Sequence, residues 1–500
     1  MESSVVEFYQ NKSVFLTGFT GLLGHIITEK LLRCCDLKAI YVLVRDKKGK
    51  SWQNRLDEVF EDPLFERLHK EKPDFKKRVI GIVGDCGVLD LGLNSNDINT
   101  IKEKVNVIIH AAATVRFDET LKKALFMNVK ATKTLLDIAK EMRNLDAFIH
   151  VSTAYANCNQ RGDINEAFYK PKYSATNMLK LLEILDEKAF NDLTADMIKG
   201  FPNTYAFSKH IAEDLVQSYN GQLPIVVFRP TFVMPTFREP VSGWTNNYYG
   251  PVGLMYGISL GVVHVYRLKP DNYAELVPVD MVVSCLLSTA WDIARSNYGS
   301  IQIYNFAPSN KNPLLWRRFI DETLSNGKLI PASKAYWYYA FETVENKHLF
   351  ALLHFLYHTL PGRIVDLFLG FSNTKLRLSR VYASVEKLDS SMQFFSFNNW
   401  NFENTNVMKL WKKLSPVDKE MFFFDMENFD WSAFCKDSTY GFRRYIAKDD
   451  PSTIPFALKR QKVLKITHYV VTYSIKGLAL YLLILLFSWI FNVFKYFMFN

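Results

Sequence analysis

Tyr205 and Lys209, four residues apart in Tyr205-Ala206-Phe207-Ser208-Lys209, are the side chains of this sequence best suited to acid-base work. On a helix that spacing puts both on one face. There an ammonium can lower a phenol pKa and also hold a ribose hydroxyl. Alone, such a pair is common as a surface contact. Here it follows Gly18-Phe19-Thr20-Gly21-Leu22-Leu23-Gly24, a glycine spacing that lets the backbone approach a pyrophosphate at a helix N-terminus. A phosphate-cradling loop and an acid-base pair in one domain point to hydride transfer from a nicotinamide dinucleotide.

Two adjacent hydroxyls, Ser152 and Thr153 in His150-Val151-Ser152-Thr153-Ala154-Tyr155, supply a third group at the end of a strand. Either could hydrogen-bond a substrate carbonyl oxygen, with Thr153 preferred. About twenty residues past the glycine loop, where an NAD site places a carboxylate on the ribose, stands Arg45, followed by Asp46, Lys47 and Lys48. A cation there suits a 2′-phosphate, so NADPH is the expected cofactor. Gly84-Asp85 closes a further strand, and its carboxylate could meet the adenine. The six cysteines are scattered, without CxxC or CxxH spacing. Each reads as a small buried hydrophobe, and no metal is expected.

The elements that must position these groups follow from apolar runs. Ser13 to Thr17, the helical pattern Leu22 to Arg33, and Ala39 to Val44 make a βαβ unit. Similar runs at Arg78 to Val83, Val105 to His110, Ala147 to Val151 and Ile225 to Phe228 call for a parallel sheet covered on both faces. The fold class expected is α/β, a doubly wound parallel-sheet Rossmann domain over residues 10–310. From about Asn310 the sequence turns to aromatic and leucine-rich helical segments, read as a helical C-terminal domain over 311–448. Stretches such as His348 to Phe371 read as core, with lining of an apolar tunnel as the alternative. Asp449 to Pro455 reads as a linker, because two prolines among small polar residues interrupt a helix. The linker and a basic segment fill 449–476.

Residues 477–494, uncharged between Lys476 and Lys495, approach bilayer thickness and read as a single transmembrane anchor. Lys459, Arg460, Lys462 and Lys465 precede it, which puts the large N-terminal part on the cytosolic side. The formal charge of +10 comes without a basic tract interleaved with aromatics in the first 450 residues, which argues against a nucleic-acid partner. No basic stretch with an apolar core opens the chain, so the body is expected in a reducing compartment.

With TGFTGLLG, HAAATVRF (His110 to Phe117), HVSTAYAN (His150 to Asn157) and YAFSK in view, the chain resembles the alcohol-forming fatty acyl-CoA reductases, an extended short-chain dehydrogenase family. The resemblance continues through Arg229-Pro230-Thr231, Glu239-Pro240, Gly243-Trp244, Gly250-Pro251 and Val277-Pro278-Val279-Asp280. It reaches Phe429-Asp430-Trp431 and Tyr440-Gly441-Phe442-Arg443 in the helical tail. It implies reduction of a long-chain acyl-CoA to a primary alcohol by two hydrides from NADPH, through a bound aldehyde. Ala112, Arg229 and Pro230 would join the glycine loop at the cofactor. The partners implied are a long-chain fatty acyl-CoA, a membrane of the endoplasmic reticulum or peroxisome, and a homodimer mate. Leu260, Ser284 and Ser242 depart from the family pattern, which bears on substrate contacts rather than on Tyr205 and Lys209. Two other classes compete: a sterol or sugar-nucleotide dehydrogenase of the same fold, which leaves the helical tail unexplained, and a catalytically silent nucleotide-binding protein, which leaves the Tyr205/Lys209 pair unexplained.

Overall fold

The computed structural model describes residues 3–46, 49–296, 299–308, 310–369 and 377–499. Lys47 and Lys48, and Gly370 and Phe371 at the end of the aromatic stretch, lie outside the described residues. The chain opens its sheet with β1 (Ser13–Thr17), α1 (Leu22–Cys34) and β2 (Ala39–Val44), and every residue of both strands is buried. It continues through β3 (Val79–Val83), β4 (Val107–His110), β5 (Ala147–Val151), α2 (Thr204–Gln217), β6 (Ile225–Pro230), α3 (Val279–Arg295) and β7 (Gln302–Phe306).

The seven strands form one sheet in the order β7-β6-β5-β4-β1-β2-β3, and all neighbours run parallel. Helices on both faces explain why β1, β2, β4 and β5 are buried throughout rather than on alternate residues. After β3 at one edge the chain returns to place β4 on the far side of β1. The crevice beyond the carboxyl ends of β1 and β4 is therefore the switch point where doubly wound sheets bind ligands. Strand β7 breaks the apolar pattern: its Asn305 is fully buried and donates to the Ile164 and Glu403 carbonyl oxygens, at 3.1 and 2.8 Å.

The residues after β7 are mostly helical but tied to the sheet domain by short strands. Trp400–Phe402 pairs with Gly162–Ile164, and Glu342–Val344 with Val265–Arg267. One hydrophobic core carries Val14 of β1 together with Phe429 and Phe434 of the C-terminal part.

The expected linker starts a helix instead. Pro451 opens a short 3-10 turn, and Pro455 is the second residue of α4 (Ile454–Phe499), positions where a missing N–H costs nothing. Helix α4 is 46 residues long and so spans about 69 Å. It is long and apolar enough to cross a membrane, and its most apolar window is not buried at all. It is a candidate membrane anchor.

Candidate active site

The chain leaves β1 at Gly18, whose φ is +80°. A Cβ there would lie 2.7 Å from the Ala112 nitrogen, and one on Gly24 would lie 2.2 Å from the Gly18 carbonyl oxygen. Side chains at these two positions would fill the floor of the loop. The Gly21 N–H closes the turn on the Gly18 carbonyl at 2.9 Å. Helix α1 then begins with no side-chain cap. Its first N–H groups are left for an external acceptor, which is the chemistry a pyrophosphate requires.

This loop forms one wall of a cavity of about 540 Å³. All seven loop residues Gly18 to Gly24 line it, with Arg45, Asp85, Ala112, Ser152, Thr153, Tyr205, Lys209 and Pro230. Sixteen site residues were named from sequence, and only Arg229 is missing from the lining. Val115, Phe117, Phe232 and Phe395 make an apolar wall beyond Tyr205.

At the centre Tyr205 stands in the first turn of α2, which Asn203 caps by accepting the Ala206 N–H at 2.8 Å. Burial pushes the Tyr205 phenol up to about 12, and a hydrogen bond with Thr153 works the other way. Thr153 follows β5, donates weakly to the Pro230 carbonyl at 3.4 Å and accepts the Tyr155 N–H at 3.3 Å. The Lys209 ammonium donates to the Val151 carbonyl at 2.7 Å, and burial pushes its pKa down to about 8 against the opposing pull of Glu213. In the free protein the Lys209 ammonium is directed at the β5 backbone and desolvation dominates the phenol, so Tyr205 is a protonated donor at neutral pH.

Ser152 has a different task from its neighbour. Its hydroxyl donates to Glu213 Oε1 at 2.6 Å, and the Glu213 carboxylate also binds Arg229 through Nε at 2.8 Å and Nη2 at 2.6 Å. Burial would raise the Glu213 pKa, but Arg229 and the Ser152 hydroxyl hold it below the usual carboxylate range. Arg229 also donates to the Asn165 and Ala167 carbonyl oxygens, at 3.2 and 2.9 Å. The cofactor contact expected of Arg229 is thus corrected. The guanidinium is fully buried under the β5–β6 end of the sheet, where it neutralises Glu213 and does not reach the cavity.

At the opposite end Arg45 Nη1 pairs with Asp85 Oδ2 at 2.5 Å, and Asp85 Oδ1 accepts the Gly87 N–H at 2.8 Å. Arg55 was not singled out from the sequence. It lines the same end, donating to the Arg45 carbonyl at 2.5 Å and to Thr20 Oγ1 at 3.3 Å. Burial and the neighbouring Arg45 charge lower its pKa. Two guanidinium groups thus flank the first turn of the glycine loop. Among the described residues, Cys86 is the one cysteine on the cavity wall, and burial beside Asp85 pushes its thiol up to about 12. A thiol so held is not a nucleophile at neutral pH.

Two family profiles, both described as male sterility protein, match the chain: an NAD-binding profile at residues 16–286 and a second, named Sterile, at 357–449. A fatty acyl-CoA reductase of Drosophila melanogaster is 45% identical over 489 residues, covering 97% of this chain and 94% of that protein. The chain belongs to the fatty acyl-CoA reductase family. Human fatty acyl-CoA reductase 1 is 34% identical over 467 residues, covering 93% of this chain and 90% of its own. In fold, this reductase resembles the reductase domain of a non-ribosomal peptide synthetase from Mycobacterium tuberculosis. The TM-score is 0.58 at 17% identity, over 89% of this chain and 96% of that one. The terminal R domain of the myxalamid pathway gives 0.56 at 18% identity, over 87% and 90%.

Ser242, Leu260 and Ser284 lie in structural contacts. Ser242 Oγ lies 2.8 Å from the Phe237 carbonyl oxygen and 2.7 Å from Asp437 Oδ2, and its single O–H, donated to either, fastens the sheet domain to the C-terminal part when it goes to Asp437. The Leu260 carbonyl accepts the Tyr336 N–H at 2.8 Å, and Ser284 is buried in α3. None of the three lines the cavity. Arg55 and Glu213 were the residues sequence reading missed. The signal for Glu213 was a carboxylate one turn beyond Lys209 on the same helix face, and Arg55 carried no spacing signal.

Proposed function

We propose that this reductase converts long-chain acyl-CoA thioesters to primary alcohols with two equivalents of NADPH, through a bound aldehyde, for lipid synthesis. The body would face the cytosol at an endoplasmic reticulum or peroxisomal membrane, held by α4. One observation carries the reading: a single cavity joins the bare glycine loop and two guanidinium groups to Thr153, Tyr205 and an apolar wall. The loop backbone from Gly18 to Gly24 fits a pyrophosphate, and Arg45 with Arg55 fits a 2′-phosphate better than a ribose hydroxyl. A bound NADPH supplies hydride.

The chain's own residues then do the following. Thr153 and Tyr205 donate hydrogen bonds to the acyl carbonyl oxygen as negative charge gathers on it, in a site whose apolar wall excludes water. The thioester releases CoA as thiolate, and no protein nucleophile is needed, in keeping with the protonated Cys86. In the second reduction Tyr205 passes its phenolic proton to the alkoxide, and the positive charge of Lys209 stabilises the phenolate left behind. Glu213, neutralised by Arg229, fixes Ser152 and so the end of β5 from which Thr153 projects.

The test is direct. The full chain is expressed in membranes of a host without fatty alcohols and given acyl-CoA substrates of defined length with NADPH. Alcohol and free CoA thiol should form in equal amounts, with two NADPH consumed per alcohol. Thiol release with aldehyde as the only product would overturn the two-step reading, and no thiol release at any chain length would overturn the substrate class.

A further inference from the structure

The stretch 347–369 is a helix turned inside out. It joins Lys347–His354, a π turn at Phe355–Thr359 and Leu360–Leu369, about 34 Å in length. Leu352, Phe355, Leu356, Leu360, Ile364 and Leu367 are exposed, Leu352 by 55% and Leu367 by 71%. Leu352, Leu356, Leu360, Ile364 and Leu367 recur three or four apart, with Phe355 beside them, and so form one stripe. The face turned to the protein carries His354, His358, Gly362 and Asp366, each four residues from the last.

Every one of those inner residues is used. The His358 ring stacks on Tyr382 at 5.0 Å, and its Nε2 accepts the His264 N–H at 2.9 Å. The His354 ring lies 4.7 Å from that of His358. A Cβ on Gly362 would come within 2.7 Å of the Tyr382 ring. The Asp366 carboxylate accepts the Leu378 and Ser379 N–H groups, at 2.7 and 3.0 Å. The sequence expectation that this stretch is core, or lines an acyl tunnel, is thus corrected for its described residues. Its polar face seats it on the protein, and Leu352, Leu356, Leu360 and Leu367 point away. A helix surrounded by water has the opposite arrangement.

What covers the stripe is indicated by its neighbours. His264, which donates to His358, also bonds through Nδ1 to the Ala340 carbonyl at 2.9 Å, in the segment that meets His468 of α4. Trp337 Nε1 donates to His468 Nδ1 at 2.8 Å, and the Tyr338 ring lies 5.7 Å from His468 and 6.3 Å from Tyr469. This aromatic collar grips α4 about 12 Å before its uncharged run begins at Gly477, the level at which tryptophan and tyrosine meet lipid headgroups. Lys347 and Arg363 are exposed on the helix itself, suited to headgroup phosphates.

We propose that helix 347–369 is a second membrane contact, lying in the bilayer interface with its leucine face in the lipid, beside the anchor. This rests on the reading of α4 as that anchor. The helix Leu378–Phe397 holds Tyr382 against His358 and Phe395 on the wall of the catalytic cavity. The lipid contact and the acyl cavity are therefore ends of one element, about 20 Å apart.

The test places the full chain in nanodiscs of phosphatidylcholine with a quarter phosphatidylserine, one chain per disc. An environment-sensitive fluorophore is attached at Leu356→Cys, at Leu483→Cys in the anchor, or at Ile184→Cys, a body position 76% exposed, with the unsubstituted chain as labelling background. Leu367→Cys carries the same expectation as Leu356→Cys and serves if that variant does not fold. Labels at 356 and 483 should be quenched several-fold more by doxyl lipid than by aqueous iodide, and the label at 184 the reverse. Iodide quenching at 356 and 367 with lipid quenching at 483 would overturn the proposal and leave the anchor standing. Iodide quenching at 483 would overturn the anchor reading, and the proposal with it. Shielding of 356 that develops only with two chains per disc would assign the stripe to a second copy and also overturn it.

Discussion

The two ends of the catalytic cavity are built on opposite principles. At the Tyr205 end each polar group is desolvated and pinned, Lys209 to the Val151 carbonyl and Ser152 to Glu213, with Arg229 fully buried beneath. At the Arg45 end the cations are half-exposed, the Arg45 side chain by 41% and its partner Asp85 by 24%. Burial shifts pKa values and fixes geometry, which chemistry requires. Exposed guanidinium groups cost little in the free protein and are available to whatever phosphate arrives. Substitutions should therefore disturb folding and rate at the first end, and cofactor choice alone at the second.

The largest departure should come from breaking the buried ion pair. Arg229→Met leaves the Glu213 carboxylate uncompensated and should cost about 3–5 kcal/mol, read as a lowered denaturation midpoint, while Arg45→Ala should leave that midpoint unchanged. Next, Thr153→Val removes a donor to the developing oxyanion and should lower kcat about a hundredfold. Ser152→Ala should act mainly on stability, and the reverse pattern would exchange the two roles. At the exposed end, Arg45→Ala and Arg55→Ala should each raise the Michaelis constant for NADPH about tenfold, the worth of one charge-assisted hydrogen bond, and leave that for NADH unmoved. An unchanged ratio would remove that arginine from the site. The smallest effect is on pH dependence. Burial lowers the Lys209 pKa to about 8, so its charge is present below that pH and lost above it. The reading predicts that kcat/KM falls as pH rises through about 8, and that Lys209→Arg, charged throughout, shifts this limb upward.

The same contrast explains what could be read from the residues alone. The glycine loop and the Tyr205/Lys209 pair are local spacings, and strands β1, β2 and β5 are short, mostly apolar runs, so short-range pattern carried them. Arg229 looked like a cofactor ligand because nothing in sequence joins it to Glu213, 16 positions away. Arg55 went unnoticed because its value depends on where the helix Trp52–Phe60 docks against the loop. Strand β7 was hidden by its buried Asn305, which satisfies two distant carbonyl groups. The prolines of 449–455 start a helix rather than separate two, because position within the first turn decides their effect. In 347–369 the apolar count was plain, but the direction of the leucine face was set by the polar residues seating its other side.

The most direct measurement compares the full chain with Tyr205→Phe, following long-chain alcohol formation from acyl-CoA and NADPH alongside NADPH binding. The substitution should lower alcohol formation by about 10²- to 10⁴-fold with cofactor affinity unchanged. Equal alcohol output from the two chains would contradict the assignment of Tyr205 as the proton donor.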